Sequence, residues 1–136
     1  EFRTPKSLTA AEKKVWKSLV QVFGETANCR VSDADVDMMV LYCRAKVATD
    51  EADAALKEDP RAYLVYECGE DKDGNPKYVL KANPNIKKRN DNAALCIRLA
   101  DQLGLSPQAR ARAGLKAANA KRKDDPFRKM MQRKDE

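Results

Sequence analysis

Histidine is absent from this chain of 136 residues. That removes the commonest general base and the commonest metal ligand. No two of the four cysteines, Cys29, Cys43, Cys68 and Cys96, are spaced as a Cys-x-x-Cys pair, which argues against a zinc ribbon or knuckle. Cys43 and Cys96 fall among apolar neighbours, where free Cys is a common core residue. All four read as reduced thiols of a reducing compartment. No apolar run approaches the roughly 18 residues of a membrane span, and no signal-peptide pattern opens the chain. A Gly-x-x-x-x-Gly-Lys-Ser/Thr phosphate loop is missing too. No acidic cluster has the look of a two-metal site: Asp33, Asp35 and Asp37 alternate at one helix start, where capping accounts for them better. These absences lead us to expect a non-enzyme, with no cofactor, no metal and no membrane attachment.

What is present is charge and helix-forming composition. Charged residues make up 35% of the chain and aromatics 6%, a soluble pattern rich in Ala, Lys, Asp and Arg that leans toward helix. The net charge of +6 is unevenly placed. Residues 1–103 carry 17 basic and 17 acidic side chains, whereas residues 104–136 carry 10 and 4. A basic segment on a neutral body is an electrostatic footprint for nucleic acid. A solvated tail that keeps the protein soluble would have the same charge.

The chain opens at Glu1-Phe2 rather than Met, as if residues preceded it or these two were added, and the fold is argued without them. Thr9 and Glu12 form a capping-box pattern, followed by Val15, Trp16, Leu19, Val20 and Phe23 at helical spacing. Gly24 is placed to end this helix, with a loop over 25–31. Ser32 is a good N-cap for a second helix. Val36, Met39, Val40, Cys43 and Val47 share one face, Met38, Leu41 and Tyr42 broaden it, and the pattern continues weakly through Ala54 and Leu56 to Pro60. Such a helix reaches about 39 Å at about 1.5 Å per residue, which suggests a helical hairpin or an oligomeric bundle.

From 62 to 80 the period changes. Tyr63-Leu64-Val65-Tyr66 and Tyr78-Val79-Leu80 flank a polar turn centred on Asp73-Gly74, the pattern of a short β-hairpin. Alone it would be marginal, so it must rest on the helices or pair with a neighbouring subunit. Asn83-Pro84 then starts a third helix, carrying Ile86, Ala93, Ile97 and Ala100, with Leu95, Cys96, Leu99 and Leu103 beside them. Gly104 ends it and Leu105 folds back. Ser106-Pro107 starts a fourth, Ala-rich helix bearing Arg110, Arg112 and Lys116.

The segment Leu103-Gly104-Leu105-Ser106-Pro107-Gln108-Ala109-Arg110-Ala111-Arg112, preceded by Lys81-Ala82-Asn83-Pro84, resembles a branch of the phage terminase small-subunit family. That branch has an early Trp-containing helix, a long second helix and a variable insertion. An Asn-Pro-initiated helix follows, then Leu-Gly-Leu-Ser/Thr-Pro and a nearby Arg. All occur here in order, with Trp16 in the first helix, so the resemblance covers roughly residues 8–115. It implies a homo-oligomeric ring larger than a dimer that recognises the viral packaging site on double-stranded DNA in the host cytoplasm. It also implies recruitment and regulation of a large subunit that carries the ATPase and nuclease.

The expected fold is mainly α: a long antiparallel helical hairpin with a short β-hairpin insertion, assembled as a ring. Residues 1–31 hold the first helix and loop, 32–119 the helical oligomerisation core, and 120–136 a basic tail that stays disordered until a partner binds. The expected DNA contacts are Arg110, Arg112, Lys116, Lys121, Arg122, Lys123, Arg128 and Lys129, directed at phosphates. Lys13, Lys14 and Lys17 of the first helix form an alternative DNA surface. The expected oligomerisation residues are Val36, Met39, Val40, Cys43, Val47 and Ile97. Phe127, Met130 and Met131 offer apolar anchors should the tail dock the large subunit instead. Two other readings stay open at this point. One is a dimeric helix-turn-helix regulator, disfavoured by the long 24–31 linker and the acidic start of the second helix. The other is a head or tail assembly adaptor without a DNA role.

Overall fold

A computed structural model of the chain describes residues 2–25, 32–112 and 114. The first helix, α1 (Ala10–Glu25), opens on the expected capping box. Thr9 donates its backbone N–H to Glu12 Oε2 at 2.8 Å, and the Glu12 N–H donates to Thr9 Oγ1 at 3.3 Å. Two of the four orphan amides at the helix start are satisfied this way. Trp16, Leu19 and Phe23 form the buried face of α1. Gly24 does not end the helix, which runs on to Glu25. A glycine terminates a helix by turning left-handed, and positive φ occurs at Gly69, Gly74 and Gly104, not at Gly24. Leu8, just upstream of the cap, is buried in the core, and Phe2 packs against that core as well.

The second helix also starts later than Ser32 suggests. Asp35 turns its carboxylate back onto the Ser32 N–H at 2.8 Å, and its own N–H donates to the Ser32 carbonyl at 3.0 Å. This tightens Asp33–Asp35 into a 3-10 turn, so α2 spans Val36–Glu58. Its 23 residues measure about 34 Å along the axis.

Two separate faces of α2 are buried. Met39 and Cys43, both 0% exposed, meet Trp16, Leu19 and Phe23 of α1 and close the main core together with Leu8 and Leu103. Ala45, Ala52 and Leu56 form the other buried set. They belong to the side that faces α3 (Pro84–Gln102), where small side chains permit close helix approach. Ala54, expected on the apolar face, is exposed and Ala52 takes that place. The α2–α3 pair is antiparallel: Lys88 lies 3.8 Å from Glu51 and Arg89 3.8 Å from Asp53, while Cys96 reaches the Thr49 hydroxyl nearer the start of α2. The helical hairpin is therefore present as expected.

Between α2 and α3 the chain forms a two-stranded antiparallel ribbon, β1 (Tyr63–Glu70) and β2 (Pro76–Ala82). Register runs from Tyr63 opposite Ala82 to Glu67 opposite Tyr78, with a bulge between Glu67 and Glu70. Asp71 Oδ1 accepts from the N–H groups of Asp73 and Asn75 at 2.9 Å each, and Gly74 takes φ 81°. This is the Asx-type turn chemistry that Asp and Gly supply. No residue of either strand is buried; Leu64 and Val79 are half-covered. Within a single chain the ribbon does not bury an apolar face on the helices.

At the start of α3, Asn83 Oδ1 accepts from the Asn85 N–H at 3.1 Å. Its end is a Schellman motif. Leu105 N–H donates to the Ala100 carbonyl at 2.8 Å and Gly104 N–H to Asp101 at 3.1 Å, with Gly104 at φ 79°. Leu105 then packs against the core, and residues 107–112 are helical.

Candidate nucleic-acid interface

A basic side chain is ready for a phosphate only where no carboxylate already holds it. By that criterion the basic start of α3 is largely occupied. Lys87 pairs with Asp91 at 2.7 Å, and that hydrogen bond raises the Lys87 pKa above the ordinary lysine value. Lys88 and Arg89 reach across to Glu51 and Asp53 of α2.

The C-terminal candidates divide. Ser106 Oγ donates to Asp101 Oδ1 at 2.7 Å and accepts from the Ala109 N–H at 3.1 Å, which starts the short helix at 107. Arg110 Nη1 donates to the Leu105 carbonyl at 2.8 Å, so its guanidinium braces the Gly104 turn. Arg112 lies 3.9 Å from Asp101, with 63% of its side chain exposed. Arg110 is thus committed to the turn, and Arg112 is only loosely held. The remaining expected contacts, Lys116, Lys121, Arg122, Lys123, Arg128 and Lys129, lie outside the described residues, as do Cys29 and the tail anchors Phe127, Met130 and Met131.

On α1 the situation is different. The buried face carries Trp16, Leu19 and Phe23, which leaves Lys13 and Lys17 one helical turn apart on exposed surface, with Lys14 beside them. None of the three forms an ion pair among the described residues. Lys14 turns toward a groove of about 450 Å³ between α1 and α2, lined by Val15, Leu19, Val22, Tyr42 and Leu105, with Lys46 on its far rim. Lys46 is held by Asp50 at 2.9 Å, a hydrogen bond that raises its pKa. Desolvation raises the Tyr42 hydroxyl above its usual value in the same wall.

The expected oligomerisation residues separate as well. Met39 and Cys43 are wholly covered within the chain by α1, because the first helix crosses the face assigned to a neighbour. They are core residues. Val36, Val40 and Val47 are half-buried, and Ile97 is 72% exposed on the outer side of α3. Sequence reasoning missed Asn83 as a tertiary anchor. It is 3% exposed, and its amide donates to the Arg61 carbonyl at 2.9 Å as well as capping α3. The Asn-Pro pair signalled the cap, but no local signal indicates that the other half of the amide reaches back 22 residues.

Among the described residues no group of His, Cys, Asp or Glu is placed to hold a metal ion, and no helix is long and apolar enough to cross a membrane. No curated protein and no solved structure matches the chain. The family model described as "Phage terminase, small subunit" matches residues 13–120. That span includes every element described above except the residues before Lys13, and the chain belongs to the phage terminase small-subunit family, which serves viral DNA packaging.

Proposed function

We propose that this chain is a ring-forming packaging adaptor that binds viral double-stranded DNA and recruits the large terminase subunit, without bond chemistry of its own. Family membership supports the packaging role. The observation that carries the DNA part is the pair Lys13 and Lys17, exposed on the flank of α1 outside its core face, with no carboxylate partner among the described residues. Residues 104–136 hold the chain's whole excess of positive charge. They add a second, flanking phosphate-binding element through Arg112, Lys116, Lys121, Arg122, Lys123, Arg128 and Lys129. Such contacts fix position more than they read bases. Selection of the packaging site then rests on DNA shape, favoured where a duplex bends around a ring. Ring contacts use surface left open by the single chain, Ile97 and the ribbon among it.

The test is fluorescence anisotropy with labelled duplexes from the packaging region and from unrelated sequence, over a salt series, on protein whose solution mass has been measured by light scattering. The reading expects an assembly larger than a dimer and steeply salt-dependent binding. It also expects no ATPase or nuclease turnover by the purified chain with magnesium. A dimer that binds one short operator would instead indicate a regulator.

A further inference from the structure

Successive side chains of a strand point to opposite faces, and cross-strand partners share a face. The register Val65 opposite Leu80 and Glu67 opposite Tyr78 therefore gathers Tyr63, Val65, Tyr78 and Leu80 on one side of the ribbon, with Glu67 at its outer end. These four apolar residues are 59–64% exposed. Beyond Glu67 the ribbon carries Glu70, Asp71 and Asp73 against Lys72 and Lys77, a slight acidic excess. An uncovered apolar strip of this size marks an interaction site.

The complementary surface is on the same molecule but far along the sequence. The α1–α2 groove has an apolar floor of Val15, Leu19, Val22, Tyr42 and Leu105, and Lys14 and Lys46 edge it. Lys14 has no ion-pair partner among the described residues. Charge chooses between possible occupants. Residues 115–136 carry eight basic and four acidic side chains and would bring like charge to Lys14. The ribbon brings an apolar strip that ends in a carboxylate.

We propose that the Tyr63–Val65–Tyr78–Leu80 face of one copy docks in the α1–α2 groove of the next copy, with Glu67 meeting Lys14. The two surfaces differ, so the contact is heterologous, and repeating it closes a ring when the rotation permits. The inference rests on the ring-forming reading above and specifies the surfaces that build the ring.

The full chain provides the test. Val65→Asp with Leu80→Asp changes only exposed positions, so helicity by circular dichroism should match the parent while light scattering shows monomer. Lys14→Glu with Ser18→Glu, on the exposed edge of the groove, should do the same. Mixing the two double variants leaves one intact contact per pair and should yield a one-to-one dimer and nothing larger. Glu67→Lys or Lys14→Glu alone should raise the assembly midpoint concentration about tenfold, and the combined charge swap should restore it. A ring that survives Val65→Asp with Leu80→Asp overturns the proposal, whether that face then proves to hold the large subunit or residues 115–136. So does a mixture that yields no dimer. If the parent chain is monomeric at every concentration, the ring-forming reading itself falls. A parent ring unaffected by all these variants removes only the docking geometry.

Discussion

The Asn83 side-chain amide donates to the Arg61 carbonyl at 2.9 Å. The backbone N–H of Asn83 donates to the Ala62 carbonyl at 2.8 Å, and its Oδ1 caps α3. One buried residue thereby closes the base of the ribbon and opens the helix that follows. Asn83→Asp keeps the cap and removes the donor, whereas Asn83→Ala removes both. We expect Asn83→Ala to cost about 2–3 kcal/mol, combining a missing cap with a missing buried hydrogen bond, and Asn83→Asp to cost at least as much, because it sets a buried carboxylate oxygen against the Arg61 carbonyl. Urea denaturation followed by circular dichroism measures this order, and an Asn83→Asp variant much closer to the parent than Asn83→Ala would assign most of the effect to the cap.

The two arginines of the turn should separate function from stability. Arg110→Ala removes the bond to the Leu105 carbonyl and should lower stability by about 1 kcal/mol, with the salt dependence of DNA binding unchanged. Arg112→Ala should do the reverse, since its pairing with Asp101 is long and solvent-exposed and such pairs add little to stability. Thermal melts and anisotropy titrations on both variants decide the matter.

For α1 the expected readout is purely electrostatic. Lys13→Ala with Lys17→Ala should weaken binding to all duplex sequences alike. Each phosphate that is no longer neutralised should reduce the slope of log affinity against log salt by about 0.9. Deleting residues 120–136 should act in the same direction. If only the deletion changes the slope, the DNA surface belongs to the C-terminal segment and α1 is a bystander.

Cys43 offers a pH test of the core. Burial, with a smaller contribution from Glu12, pushes its thiol from 9.0 up to about 11. The folded state therefore keeps the proton after the unfolded chain has released it. Stability contributed by Cys43 is intact below about pH 9 and is lost as pH rises through about 11. Tyr42 and Cys96 are also raised by burial, so the measurement is a comparison. Cys43→Ala should start less stable because of the cavity and then decline less steeply over that window. Among Cys43, Cys68 and Cys96, Ellman's reagent should label exposed Cys68 first and Cys43 last.

Punctuation was the most legible part of the sequence. The Thr9–Glu12 box, Asn83-Pro84, the Asp73-Gly74 turn and Gly104-Leu105 each depend on one or two residues and their immediate neighbours, and the structure places all four as read. Tertiary allocation was not legible. Met39 and Cys43 look the same in sequence whether α1 or a neighbouring subunit covers them. The α2–α3 side is built from Ala45 and Ala52, residues too small to register as an apolar stripe. Arg110 could not be told from a surface cation, because the carbonyl it holds is exposed for bonding only once the Gly104 turn has formed. Gly24 failed for the complementary reason: glycine permits a left-handed turn but does not impose one.

The ribbon leaves the end of α2 and returns to the start of α3 at a single point, which Asn83 fastens. Its length is thus uncoupled from the helical pair beneath it, and the chain can be lengthened or shortened at the Asp71–Asn75 tip without moving any helix. Strand side chains repeat every two residues. Residues added at the tip lie beyond the apolar strip and leave its facing unchanged, whereas one residue added to each strand between the helices and Val65 would turn the outer part of that strip to the opposite side. Insertions at this tip should therefore be tolerated by the fold and by the proposed docking face alike, while insertions nearer the helices should keep that face only in even steps per strand.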